Sequence, residues 1–241
     1  MQTVRIYPDE HLAAVYAAAL VEHTLRRKPG AVLGLATGAT QIPLYAELRR
    51  LSAQGLSWRS ATTINLDEYV GVGRDHPHSF HSYMRKQLFD AVDLAPEHRH
   101  IPAGDAPDLT AECARYDAVV REHPIDLQVL GIGVNGHIGF NEPGDALSLR
   151  THVVSLKAET IARCEADFAT AAVPRQAITV GLEAIVSAKR VLLLAFGADK
   201  AAAVAAALGG VVRTDVPASV LQVHADVTWV LDAAAASGLE R

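Results

Sequence analysis

Short apolar runs rich in β-branched residues recur along this chain, with stretches of helical periodicity between them. TVRIY is followed by Asp9 to Arg27 with apolar residues at helical spacing, then AVLGLA, Gln41 to Gln54, and TTINL. That opening reads βαβαβ. The pattern resumes with a helix over Thr110 to Glu122, strands at IDLQVLGI and THVVSL, a helix over Leu182 to Ala188, and a strand at RVLLLAF. A helix over Asp199 to Leu208 and a last strand at VTWVLD close it. Antiparallel strands can be joined by a tight turn, whereas parallel strands need a crossover, and the helical stretches supply it. The chain is therefore expected to form an α/β fold of doubly wound type. Its sheet should be mostly parallel with helices on both faces, a Rossmann-like three-layer arrangement. At 241 residues and 25.7 kDa, half of them hydrophobic, residues 1–241 suffice for a single domain with a large core.

In such a sheet ligands bind outside the carboxyl ends of the strands. Four segments follow predicted strands: TGATQ, DEYVG, the run from Gly131 to Gly144, and GADK. The third, GIGVNGHIGFNEPG, places five glycines around Asn135, His137, Asn141 and Glu142. Glycine lets a backbone approach a ligand closely, and histidine is the side chain best able both to accept and to donate a proton near neutrality. His137 is the candidate acid/base, with Glu142 placed to orient it. Asn135 can hydrogen-bond but carries no charge to stabilise an imidazolium. In the second segment one of the adjacent carboxylates Asp67 and Glu68 should face the crevice while the other turns away. In the first, Thr37, Gly38, Ala39 and Thr40 precede a helix start, which suits either an anion or an ordinary threonine N-cap. Lys200 adds a cation at another strand end.

The remaining composition narrows the function. A formal net charge of −5, without a Lys/Arg cluster interleaved with aromatics, gives no footprint for nucleic acid. The two cysteines, Cys113 and Cys164, lie in no metal-ligand spacing and read as reduced thiols of a cytoplasmic protein. His76, His78, His81, His98 and His100 match no standard metal site and read as surface or lid residues. The start MQTVRIYPDE lacks the apolar core of a signal peptide, and VLLLAFGA is far too short to span a bilayer. Neither nucleotide fingerprint is present.

LGLATGAT, NLDEYVG, HPHSFHSYM, GIGVNGHIGFNEPG, ITVGLEAI and PASVLQVH, in this order over nearly the whole chain, resemble the glucosamine-6-phosphate deaminase family. The 6-phosphogluconolactonases share a glycine-histidine loop but not FNEPG after it. The resemblance implies conversion of an amino-sugar phosphate and water to a ketose phosphate and ammonia, with no metal or organic cofactor. It implies that Asp67 moves the C2 proton to C1. It gives His137 ring opening, Glu142 and Asn135 the support of the imidazole, and Thr37, Gly38, Ala39, Thr40, Gly136 and Lys200 the sugar phosphate. Many members carry aspartate at position 135. Ala166 stands where the family's phosphate-contacting arginine stands, leaving Arg163 or another cation to reach the phosphate. The galactosamine-6-phosphate branch also lacks that arginine and is the alternative enzyme. A sugar-phosphate-binding module without catalysis is the alternative of another class. The chain stops soon after its last strand, so effector control through a longer tail is not expected. Homo-oligomer formation is left open.

Overall fold

The computed structural model describes residues 1–168 and 173–239, the side chains of 163–167 excepted. The described residues form ten strands and seven α-helices. The strands are β1 (Gln2–Tyr7), β2 (Val32–Leu35), β3 (Thr62–Asn65), β4 (Asp67–Tyr69), β5 (Arg99–His100), β6 (Leu127–Gly131), β7 (His152–Ser155), β8 (Gln176–Thr179), β9 (Val191–Ala195) and β10 (Val227–Asp232). The helices are α1 (Glu10–Arg27), α2 (Ile42–Ala53), α3 (Phe80–Gln87), α4 (Leu109–Glu122), α5 (Ala158–Phe168), α6 (Leu182–Val186) and α7 (Ala201–Leu208). The helix starts at α1, α3 and α4 are capped by Asp9, Ser79 and Asp108, each of whose side chains accepts a backbone N–H of the first turn. Among the described residues no helix is long and apolar enough to cross a membrane.

Seven strands form one parallel sheet in the order β1-β10-β9-β6-β2-β3-β5. Both faces are covered, as an all-parallel sheet requires. Alternation along β9 sends Val191, Leu193 and Ala195 to one apolar layer with α6 and α7, and Leu192 and Leu194 to the other with α1 and α2. From β2 the chain winds outward through β3 to β5, then returns to place β6 on the other side of β2. The strand order reverses there, and the segments after β2 and β6 flank the crevice that the reversal opens.

THVVSL does not join this sheet. It forms β7, which pairs antiparallel with β8, and β8 pairs antiparallel with β4 in a separate three-stranded sheet of order β4-β8-β7. The strand is only half-buried, so it lacks the continuous apolar character of a central parallel strand. DEYVG is likewise not simply a loop. Asp67, Glu68 and Tyr69 form β4, in register with Thr179, Ile178 and Ala177. Two carboxylates in three residues hide the strand from propensity, and pairing with a segment more than a hundred residues away supplies it.

Candidate active site

Beyond the carboxyl ends of β2, β3, β6 and β9 lies a cavity of about 820 Å³. Its walls include Thr37 to Thr40, Asp67, Asn135, His137 and Lys200, so the structure gathers the four sequence segments around one space. Gly38 begins a single 3₁₀ turn, Ala39–Gln41, that runs directly into α2. The N-cap of α2 is Gln41, and no side chain caps it, so the threonine N-cap alternative is not what Thr40 does. The same construction recurs at Gly197, where the turn Ala198–Lys200 leads into α7 and buries Lys200 to 5% exposure.

Asp67 and Glu68 point to different surroundings, as alternation along a strand dictates. Asp67 is buried and lines the cavity. Burial, and then the charge of Glu68, push its carboxyl up to about 8. Glu68 is fully buried. It accepts the backbone N–H groups of Tyr69, Phe80 and His81 at 2.9 to 3.1 Å and meets His81 Nδ1 at 3.0 Å. It therefore ties β4 to the start of α3, where a carboxylate is favoured by the helix dipole.

His137 packs directly over Gly133, where a Cβ would lie 2.5 Å from ring atom Cε1; only glycine leaves room for the imidazole. Nδ1 of His137 lies 3.3 Å from Glu142 Oε2. Asn135 does not bond to the ring. Its Nδ2 donates to the same Glu142 oxygen at 2.8 Å, and its Oδ1 accepts the His137 backbone N–H at 3.2 Å. The other Glu142 oxygen accepts from Thr160 Oγ1 at 2.6 Å. Burial alone would raise the Glu142 carboxyl. Hydrogen bonding and charge from His137, with the hydrogen bonds of Thr160 and Asn135, reverse that and bring it to about 2. Glu142 is a fixed anion behind the histidine rather than part of the cavity wall.

Two sequence expectations need correction. Gly136 does not line the cavity. It is buried with φ of 85°, and a Cβ there would sit 3.0 Å from Val216 Cγ1; its carbonyl accepts the Ala218 N–H. Its task is to fold the loop against residues 216–218. Gly136→Ala should accordingly lower stability by about 1–3 kcal/mol through left-handed strain and contact, with KM unchanged; denaturant unfolding and steady-state kinetics check both. Asn135 supports Glu142 and the loop backbone, not the imidazole. The side chains of Arg163 and Ala166 lie outside the described residues.

Several wall residues were not anticipated individually. Phe80, Tyr83 and Lys86 of α3 face the cavity at helical spacing, as do Phe140, His78, Glu159 and Thr160. The periodicity of SFHSYMRKQ was available as a signal for α3. Nothing in the sequence ties Thr160 to Glu142, eighteen positions away. The clustered histidines divide: His78 lines the cavity, His76 stacks on Phe168 at 5.7 Å, and His81 binds Glu68. Among the described residues no group of three or more His, Cys, Asp or Glu side chains is arranged to hold a metal ion.

One cavity thus presents a buried carboxyl of raised affinity for protons, a histidine backed by a fixed carboxylate, and, along the same wall, the Lys200 cation and the hydroxyls of Thr37 and Thr40. Such a set can move two separate protons on one polar, anionic molecule. The sequence pattern of the glucosamine-6-phosphate isomerases/6-phosphogluconolactonase family matches residues 10–229. A glucosamine-6-phosphate deaminase of Rhodopirellula baltica is 46% identical over 241 residues, covering 99% of this chain and 96% of that one. Glucosamine-6-phosphate deaminase 1 of Bacillus subtilis is 45% identical over 240 residues, covering 98% and 99%. The solved structure of a monomeric glucosamine-6-phosphate deaminase superposes with a TM-score of 0.95 at 44% identity, covering 98% of this chain and all of that one.

Proposed function

Because the chain belongs to the glucosamine-6-phosphate isomerase/6-phosphogluconolactonase family, we propose that it converts glucosamine 6-phosphate and water to fructose 6-phosphate and ammonia. The observation that carries this reading is the pairing of Asp67 and His137 in one cavity. Hydrolysis of a lactone needs one acid/base group, whereas deamination with isomerisation needs one for ring opening and another for the carbon-bound proton. Relatives at 44–46% identity that carry the deaminase name support the same choice.

In this mechanism His137 takes the proton of the C1 hydroxyl and returns one to the ring oxygen, so the C1–O5 bond breaks and a C1 aldehyde forms. Glu142 holds the ring nitrogen that faces away, and Asn135 and Thr160 hold Glu142. Asp67, ionised, removes the proton from C2; the electron pair passes through an enolamine and C1 receives the proton. The C2 imine that results adds water and expels ammonia, leaving the ketose. Thr37, Gly38, Ala39, Thr40 and Lys200 hold the phosphate by backbone donors, hydroxyls and charge. A base whose carboxyl titrates near 8 is strong enough to act on carbon and still ionised in a useful fraction near neutral pH. We place the reaction in the cytoplasm, where Cys113, buried and unpaired, stays reduced.

The test is to follow ammonia and ketose phosphate together with three substrates. Glucosamine 6-phosphate should release both in equal amounts, with kcat/KM on the order of tenfold or more above that for galactosamine 6-phosphate, and N-acetylglucosamine 6-phosphate should release no ammonia. Absence of ammonia from every substrate would refute the deaminase; faster turnover of the galactosamine compound would transfer the assignment to that sugar.

A further inference from the structure

On the far side of α3 from the catalytic cavity lies a second one, of about 390 Å³. Four arginines, Arg74, Arg85, Arg99 and Arg115, line it together with His81 and His100, against Asp105 as the lone carboxylate in the wall. Such a concentration is unexpected in a chain of net charge −5. Like charges gathered around a partly enclosed space repel unless carboxylates or a ligand neutralise them.

The pairing is incomplete. Arg85 binds Asp75 at 3.0 Å, and Arg115 grips Glu112 with two contacts of 2.6 Å. Arg99 donates to the Leu94 carbonyl and lies over the Phe89 ring at 5.2 Å, but meets no carboxylate. Arg74 has no side-chain partner among the described residues. Two guanidinium groups, one from the loop before α3 and one from β5, therefore line this space with no ion pair of their own among the described residues, Asp105 being the one carboxylate in the wall. His100 reports the same field: burial, His123 and Arg115 all disfavour its protonated form.

We propose that this cavity is a second ligand site, distinct from the catalytic one, which takes a small phosphate-bearing anion. Arg74 offers a whole guanidinium fork, and Arg99, whose Nε and Nη2 donate to the Leu94 carbonyl, keeps Nη1 for a ligand; such donors suit a dianion with several oxygens. The volume admits a phosphate or diphosphate with a small substituent and is too small for a polymer. α3, β5 and α4 are regular elements that hold Arg85, Arg99 and Arg115 in place without a ligand, while Arg74 comes from the loop before α3. α3 is the partition: Phe80, Tyr83 and Lys86 face the catalytic cavity, while His81 and Arg85 face this one.

Inorganic pyrophosphate is the probe, titrated into the full chain by calorimetry and by ¹⁵N imidazole NMR. Wild type should bind it with a submillimolar Kd and shift the His81 and His100 signals. Arg74→Glu, at an exposed side chain, should weaken that event about tenfold or more and leave turnover and thermal midpoint unchanged. Arg99→Lys, which keeps the charge but loses the fork, should weaken it less. Overturning results are binding unaffected by both variants, movement of His137 with His81 and His100 unmoved, or no binding up to ~10 mM. The test reads binding alone, so it stands apart from the identity of the catalytic substrate.

Discussion

Asp67→Asn should lower kcat for glucosamine 6-phosphate by about 10²–10⁴-fold, the usual worth of a positioned general base, and abolish solvent exchange of the C2 proton. KM should change little, because the carboxylate acts on a carbon-bound proton rather than on binding. The same substitution should stabilise the fold at alkaline pH. The Asp67 carboxyl titrates at about 8 in the folded chain against an ordinary value of 3.8. Between those limits the folded state keeps a proton that the unfolded state has released, so stability falls as pH rises across the window. Each unit represents ~1.4 kcal/mol, so the loss amounts to several kcal/mol in order of magnitude once pH passes 8. Asparagine does not titrate and escapes it. Thermal midpoints should therefore separate progressively between pH 4 and 8, the variant being higher, and run parallel above. A variant that retains a tenth of wild-type kcat would remove Asp67 from the role of base; midpoints that keep a constant gap would show that its burial carries no linked cost.

Glu142→Gln should cost about 10²-fold or more in kcat/KM, because a neutral amide in that place cannot stabilise the imidazolium formed during ring opening. The loss should be concentrated on the ring. A 5-O-methyl analogue, unable to close the six-membered ring, should lose less than glucosamine 6-phosphate itself, and equal losses would break the division of labour between His137 and Asp67. The linkage sign is opposite to that of Asp67. The carboxyl of Glu142 lies at about 2 in the folded chain, below its ordinary 4.5. The stability it contributes is present above pH 4.5 and is lost as pH falls through 2. Roughly 3 kcal/mol is the upper bound of that contribution, and the gap in thermal midpoint between wild type and variant should close on acidification.

The parallel sheet was legible because its strands are continuous apolar runs, separated by stretches of helical period that serve as crossovers. β9 and β10 send alternate residues to two layers, and because both layers are apolar, VLLLA is apolar throughout. The glycine-rich run was legible for a steric reason: His137 needs Gly133 beneath it. What spacing does not contain is the direction of a side chain. Asn135 is two residues from His137, and an amide there has as much reach toward the ring as toward Glu142; only the closed loop shows that Glu142 receives it. Thr160 and β4 were hidden for another reason. Each depends on a partner distant in sequence, Thr160 on Glu142 and Asp67 on Thr179, and local propensity is silent about such pairings.

Thr179 joins β4, β7 and the histidine loop. It stands opposite Asp67 on one side and His152 on the other, and its hydroxyl accepts the Phe140 N–H from the histidine loop. The spacing of Asp67 and His137 thus rests in part on a sheet of three short strands, a far smaller cooperative unit than the seven-stranded core. Working geometry and foldedness are consequently separate properties here. Activity should therefore be lost at lower temperature or denaturant than the helical signal of the bulk of the chain, as parallel inactivation and circular-dichroism curves would show.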